Sequence, residues 1–275
     1  MKFFASKYIK FREIKHTFRP FLKHMNPIFV FFDYLGNLSL LFFNTIVWIF
    51  RPPLKKERII QQSKNIGLDS LLIVSLVAFF TGIILALQTA YQMQKLSSEI
   101  YIANIVAVSL VRELGPVLTA LIVAGRNGAA ITAAIGTMKV TEQVDALYTF
   151  AADPVKYLVV PRFIALAIML PVLTLYSDIV GIMGGYFICV NRLGIPSNLY
   201  FSMTFDALML KDMFIGLVKT SVFGMIIAIV ASFEGFRVEG GAEGVGKATT
   251  SSVVKTFILI IAADCFFAAL FYFII

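Results

Sequence analysis

Several stretches of this chain run longer than about 18 residues with few charges among them, and each is long enough to cross a hydrocarbon core of about 30 Å as a helix. They are Ser70 to Tyr91, Tyr101 to Ala124, Phe163 to Val190, Met213 to Phe233 and Val253 to Ile275. Inside a bilayer every backbone amide must be paired within the protein, which leaves helices and closed barrels, and runs of this length are helical. Composition agrees: 59% of the residues are hydrophobic and 15% charged, against about 25% charged in an average soluble domain. An ordinary soluble domain is excluded. The expected fold is an all-α polytopic membrane protein of about five transmembrane helices.

The net charge of +8 could point to nucleic acid, but the basic residues sit beside the apolar runs, where a membrane surface explains them better and no nucleic-acid partner is expected. Lys2, Lys7, Lys10, Arg12, Lys15, Arg19 and Lys23 precede the first run; Arg51, Lys55, Lys56, Arg58 and Lys64 follow it. Arg126, Lys139, Lys156, Arg162, Arg237, Lys247 and Lys255 fall on the same side if the five later runs all cross. Lys95, Arg192 and Lys211 fall on the other. The positive side is the expected cytoplasmic side, so the amino terminus is placed in the cytoplasm and the carboxyl terminus outside it.

Three regions follow. Residues 1–26 interleave the basic residues with Phe4, Tyr8, Phe11, Ile14, Phe18, Phe21 and Met25 at steps of three and four, the pattern of an amphipathic helix lying on a membrane face. The segment has no continuous apolar core with a small-residue cleavage site, so it does not read as a secretory signal. Residues 27–64 hold a run from Pro27 to Phe50, interrupted by Asp33, Gly36, Asn37 and Asn44 and flanked by basic clusters on both sides. The flanks favour a re-entrant segment over a full crossing, followed by a basic cytoplasmic linker. Residues 65–275 form the core of five spans, with a polar cytoplasmic segment at about 126–157. No internal repeat is evident.

Ionisable groups in mid-span are expensive unless paired or hydrated, so each requires an account. Arg112 and Glu113 lie in the second of the five spans, Lys219 in the fourth and Asp264 in the fifth. Pro116 cannot donate to the carbonyl of Arg112, which loosens the helix there. Two readings stay open: a polar cluster beside a substrate path, with Arg112 and Lys219 facing a lipid phosphate or facing Glu113 and Asp264, or ion pairs that only hold helices in register. Asp178 is a weaker fifth candidate. Gly181 and Gly185 make a GxxxG pattern, read as helix packing, with a dimer interface as one use of it.

Other chemistries find no support. Gly241 to Lys247 has the spacing of a phosphate-binding loop, but Ala248 stands where Ser or Thr would hold magnesium, and no strand precedes it. The glycines from Gly235 to Gly246 read instead as a flexible turn between spans. His16 and His24 both lie in the basic amino-terminal segment, so no catalytic triad or metal site is expected. Cys189 and Cys265 fall in apolar runs without ligand spacing. Neither catalytic residues nor a bound cofactor are expected in this chain.

The informative polar stretch contains Thr141 to Leu147, read as a short helix with Glu142 and Asp145 on one side and Val144 and Leu147 available for burial; Pro154 ends the pattern. On pattern alone it is a helix on which a motor subunit could act, or an inert loop.

Taken together, Leu110-Val-Arg-Glu-Leu-Gly-Pro-Val-Leu-Thr119, Ala124-Gly-Arg-Asn-Gly-Ala129, Met138 to Leu147, Asp153-Pro154 and Glu243-Gly-Val-Gly-Lys-Ala-Thr-Thr250 resemble the MlaE (YrbE) permeases of bacterial lipid-transporting ABC systems, over about residues 55 to 275. The resemblance implies a homodimeric, non-enzymatic permease in the bacterial inner membrane. It implies two ATPase subunits that bind ATP and magnesium, and an outward-side Mce-type carrier that exchanges phospholipid with the permease and sustains outer-membrane lipid asymmetry. It also implies that Thr141, Glu142, Gln143, Asp145 and Leu147 couple to the ATPase and that Arg112, Glu113, Lys219 and Asp264 belong to the lipid path, with first-span residues such as Leu85, Ala86 and Tyr91 lining a cavity. The alternative from another class is an ion-coupled secondary transporter using Glu113 and Asp264 as proton sites, which would ordinarily show paired repeats.

Overall fold

In the computed structural model of the chain, residues 27–95 and 98–274 are described, and every regular element among them is helical. The amphipathic helix expected over residues 1–26 lies outside the described residues. The chain divides into two units, 1–43 and 44–275.

Helix α1, Pro27–Ile49, is unbroken over 23 residues, about 35 Å at 1.5 Å per residue. It contains no reversal of the kind a dip-and-return segment needs. Its polar residues are accommodated locally, since the Asn37 side chain donates to the Asp33 carbonyl at 2.7 Å and Ser39 to the Leu35 carbonyl at 2.8 Å. With it, six helices among the described residues are long and apolar enough to cross a membrane.

Helix α2 is Lys56–Gln94. The next crossing, Ile102–Val140, is three helices joined by two π-turns: α3 Ile102–Ser109, α4 Gly115–Val123 and α5 Ala129–Val140, with the wider turns at Leu110–Leu114 and Ala124–Gly128. A short α6, Gln143–Thr149, follows, then a third π-turn at Val155–Val159 leading into α7, Val160–Asn191. Helix α8, Ser197–Ala207, caps one end, and α9, Leu210–Phe236, and α10, Gly241–Ile274, complete the body. Two of the three π-turns lie just ahead of a proline, Pro116 and Pro161. A proline removes one amide donor and crowds the preceding turn, and widening that turn is the local response.

Helices α2 and α7 pack side by side and parallel. Ser75 meets Tyr176 (Oγ to Oη 2.7 Å), Phe79 meets Phe187, and Gly82 meets Gly181. A Cβ on Gly82 would overlap the Gly181 carbonyl, and one on Gly184 would overlap the Phe79 carbonyl. These backbones approach as closely as they do because glycine stands at the crossing. Gly185 lies against the Tyr200 hydroxyl of α8. Gly181 and Gly185 are therefore packed inside a single chain, so the GxxxG pattern is not available as an interface with a second copy. Nearby, Ala86, Val106, Cys189 and Tyr200 form a closed apolar core. Ala86 is fully buried there, whereas Tyr91 is exposed.

The glycine run differs from its expected form. Gly235 lies within α9, and α10 is helical from Gly241 onward, so the turn is only Arg237–Gly240. Gly240 (φ 87°) and Gly241 (φ 70°) take the left-handed conformation that reverses the chain at that point.

Gly82→Val should disrupt the α2/α7 crossing and cost about 2 kcal/mol or more, since the obstruction is backbone and not a movable side chain. Gly36→Ala, in a helix position with open space around it, should be neutral or stabilising by about 0.5–1 kcal/mol. Thermal unfolding of the two variants in the same detergent checks the contrast.

Candidate functional site

Three helices bring ionisable groups to one depth. Arg112 and Glu113 lie about 15 Å along the Ile102–Val140 crossing, Lys219 about 14 Å along α9, and Asp264 about 15 Å back from the end of α10. All three measures start from the end of the body opposite Arg126, Lys139 and Lys247, so the groups stand near the middle of a core about 30 Å thick.

Lys219 is the centre of the arrangement, with 1% of its side chain exposed. Its ammonium has three protons and three acceptors: Glu113 Oε2 at 2.7 Å, Asp264 Oδ1 at 3.0 Å and the Arg112 carbonyl at 3.3 Å. The third acceptor exists because of Pro116. The Arg112 carbonyl would ordinarily receive the amide of residue 116, which proline lacks, and the π-turn instead pairs the Gly115 amide with the Leu110 carbonyl. The freed oxygen is turned over to the lysine. Pro116, the π-turn and the buried ammonium are thus one construction, and it satisfies every donor of a charge that would otherwise be prohibitive.

Arg112 pairs with Asp212 in the first turn of α9, Nε to Oδ1 3.3 Å. Both cations have protein partners, but unequally: both intramembrane acids go to Lys219, and Arg112 takes Asp212, which the sequence reading did not single out. Asp212 lies one residue from Lys211, at the edge of an apolar run, where an acid reads as ordinary interfacial polarity. Asp178 stands apart, buried on α7 against Gly115, with Oδ1 lacking a hydrogen-bond partner.

The site is closed on one side only. Lys219 is sealed, yet Arg112 and Glu113 each keep 46% of their side-chain surface open, and Asp264 keeps 21%. The open side is the exterior of this single chain.

At the opposite end, Thr141, Glu142, Gln143, Asp145 and Leu147 fall together on the α5–α6 corner. Glu142 caps α6 in the left-handed conformation at φ 60°, unusual for a non-glycine residue. Lys139 grips Asp145 at 3.0 Å, and Val144 is buried, which fixes the short helix to the body. Thr141, Glu142 and Gln143 are exposed, and Leu147 is half-buried. Asp153 then accepts the amides of Val155 (2.8 Å) and Lys156 (3.3 Å) and starts the next crossing. Sequence reasoning missed two buried polar ties that brace this end. Asn127 donates to Ser70 at 2.8 Å, and Thr132 bonds both the Ala231 carbonyl (3.0 Å) and Ser252 (2.9 Å). Single Asn, Thr and Ser residues in apolar runs carry no signal that names their partners.

A family model described as Permease MlaE matches residues 59–270. The chain belongs to the MlaE permease family. It is 49% identical over 238 residues to a probable ABC transporter permease protein of Rickettsia felis, covering 86% of this chain and 92% of the relative. A probable ABC transporter permease of Synechocystis is 40% identical over 213 residues, 78% of this chain and 81% of the relative. The intermembrane phospholipid transport system permease protein MlaE of Haemophilus influenzae is 35% identical over 243 residues, 87% of this chain and 92% of the relative. The matched region contains the charged site, the α5–α6 corner and all of α9.

Replacing Lys219 by Met leaves two carboxylates and a backbone carbonyl without their shared donor. Breaking a buried pair this way costs about 3–5 kcal/mol, and the low end is expected because Glu113 is half open to its surroundings. Lys219→Met with Glu113→Gln and Asp264→Asn should recover a large part of the loss. Thermal unfolding of the single and triple variants measures both steps; equal losses in the two would contradict the shared-donor account.

Proposed function

We propose that this chain is the membrane-spanning subunit of an ABC transporter that moves phospholipid, or a lipid of similar shape, between the bacterial inner membrane and a periplasmic Mce-type carrier. ATP and magnesium are held by a separate ATPase present in two copies, and two copies of the permease enclose the lipid path. The positive end of the body is cytoplasmic, as is the amino terminus; the carboxyl terminus is periplasmic. The transport contributes to outer-membrane lipid homeostasis.

The observation that carries this reading is the half-open charged site at mid-depth. Charged side chains within membrane spans face a protein interior or a water-filled cavity, not acyl chains. The open faces of Arg112 and Glu113 therefore favour a second surface over them, and a second copy with a lipid headgroup between supplies one. The name of the Haemophilus relative supports phospholipid as the class of cargo. The exposed corner at Glu142, which directly follows the crossing that carries Arg112, supports force entering from an ATPase there.

The ion-coupled alternative is disfavoured by the same geometry. Glu113 and Asp264 both bond Lys219, so neither stands as an isolated proton site, and the family to which the chain belongs is one of ABC permeases.

Glu142→Arg reverses a charge on the exposed corner without touching the body. Loss of a hot-spot contact at the centre of an interface costs about 2 kcal/mol or more, roughly thirtyfold in affinity. The variant should fold normally, lose most of its co-purifying ATPase and lose ATP-driven lipid transfer in proteoliposomes. Undiminished ATPase capture and transfer would remove the corner from the coupling path.

A further inference from the structure

A second cluster of cations, remote from Lys219, surrounds the start of α2 and the π-turn at Val155–Val159. Arg58, Gln61, Gln62, Tyr157, Pro161 and Arg162 line a pocket of about 260 Å³. The Arg58 guanidinium lies 3.6 Å from the Tyr157 ring centroid and donates to its hydroxyl. Lys55 approaches the same ring at 5.0 Å. Arg162 uses one nitrogen on the Leu158 carbonyl at 2.9 Å. Beside them, Arg51 and Lys156 flank the Trp48 ring at 5.5 and 5.2 Å.

Among the described residues, neither Arg58 nor Arg162 has a carboxylate within salt-bridge distance. Asp153 is committed to the amides of Val155 and Lys156, and Glu57, exposed in the first turn of α2, lines an adjoining recess with Lys55 and Arg58 and not this pocket. Two guanidiniums share one pocket with the Tyr157 ring and side-chain amides, and among the described residues no anion joins them. Cation–aromatic contacts hold the Arg58 and Lys55 heads in place but do not neutralise them.

We propose that this pocket binds the phosphodiester headgroup of an anionic glycerophospholipid drawn from the leaflet at the basic end of the body, as a resident lipid distinct from cargo. Position selects the ligand: the pocket opens where the apolar part of α2 begins, beside a Trp and a Tyr of the kind that sit at the headgroup level. Basic pockets between membrane helices are suited to anionic headgroups. Size agrees, since the volume falls below the roughly 300–1,000 Å³ of sites that engulf a drug-sized ligand and suits a phosphate-bearing head whose acyl chains remain in the bilayer. Arg58 and Arg162 supply the planar donors that match phosphate oxygens, and Gln61 and Gln62 can bond the glycerol. The bound lipid would tie α2 to the turn that starts α7, at the end of the parallel pair opposite the Gly82–Gly181 crossing. The proposal needs only the membrane location of the chain and is independent of what the transporter carries.

The test is native mass spectrometry of the delipidated full-length protein titrated with phosphatidylglycerol or with phosphatidylcholine, for the wild type, Arg58→Gln/Arg162→Gln and Arg58→Lys/Arg162→Lys. At about a factor of five per basic residue near the surface, the Gln pair should weaken phosphatidylglycerol binding about thirtyfold, with one fewer lipid retained per chain. The Lys pair, which keeps both charges and guards against a folding defect, should retain most of the binding. Phosphatidylcholine should bind weakly in all three. Equal retention of phosphatidylglycerol by wild type and the Gln pair would overturn the proposal. Displacement by excess inorganic phosphate would overturn the lipid assignment in favour of a free-phosphate site. Loss of a co-purifying protein subunit with lipid retention unchanged would overturn it in favour of a protein contact.

Discussion

A buried ammonium cannot stand in a membrane helix unless its protons are all taken, and the body of this protein is arranged around meeting that condition for Lys219. Its three acceptors come from two further crossings: Glu113 and the Arg112 carbonyl from one, Asp264 from another. The attraction between opposite charges in a low-dielectric surrounding is strong, and so is the penalty for leaving one of them alone. Hence α9, α10 and the π-turn at Leu110–Leu114 are fixed in rotation and depth relative to one another. Pro116 contributes by an absence: the missing amide frees the carbonyl that completes the lysine's set.

Close backbone packing performs the corresponding task for the other half of the body. The α2/α7 pair meets through Gly82, Gly181 and Gly184, where hydrophobic burial offers little because lipid is as apolar as the helices themselves. Polar ties such as Asn127 to Ser70 and Thr132 to Ser252 add direction to contacts that dispersion alone would leave free to slide. The exterior that results is apolar, with Leu72, Phe80 and Ile258 exposed, as suits a surface whose solvent is lipid.

Much of this was legible in the sequence, for a physical reason. Hydropathy reports length in the membrane directly, so the five crossings of the body stand close to where the apolar runs place them, and an ionisable residue within such a run is conspicuous because it is costly. Arg112, Glu113, Lys219 and Asp264 could therefore be named before their partners were known. What sequence did not disclose were contacts between residues about a hundred positions apart. Asp212 at a helix start looks like any interfacial acid, and GxxxG does not say whether its partner is another copy or another helix of the same chain. The run from Gly235 to Gly246 misled for the opposite reason. Glycine disfavours helix when considered alone, yet only Gly240 and Gly241 reverse the chain, and α10 is already helical at Gly244 and Gly246.

On the proposed function, lipid movement is driven by ATP and passes the Lys219 site. The most direct measurement is transfer of a labelled phospholipid in proteoliposomes holding the chain with its ATPase subunits, followed with ATP, with a non-hydrolysable analogue, and with an imposed proton gradient alone. Transfer is expected with hydrolysable ATP only, unchanged when the proton gradient is collapsed. Transfer driven by the proton gradient without ATP would contradict it and return Glu113 and Asp264 to consideration as proton sites.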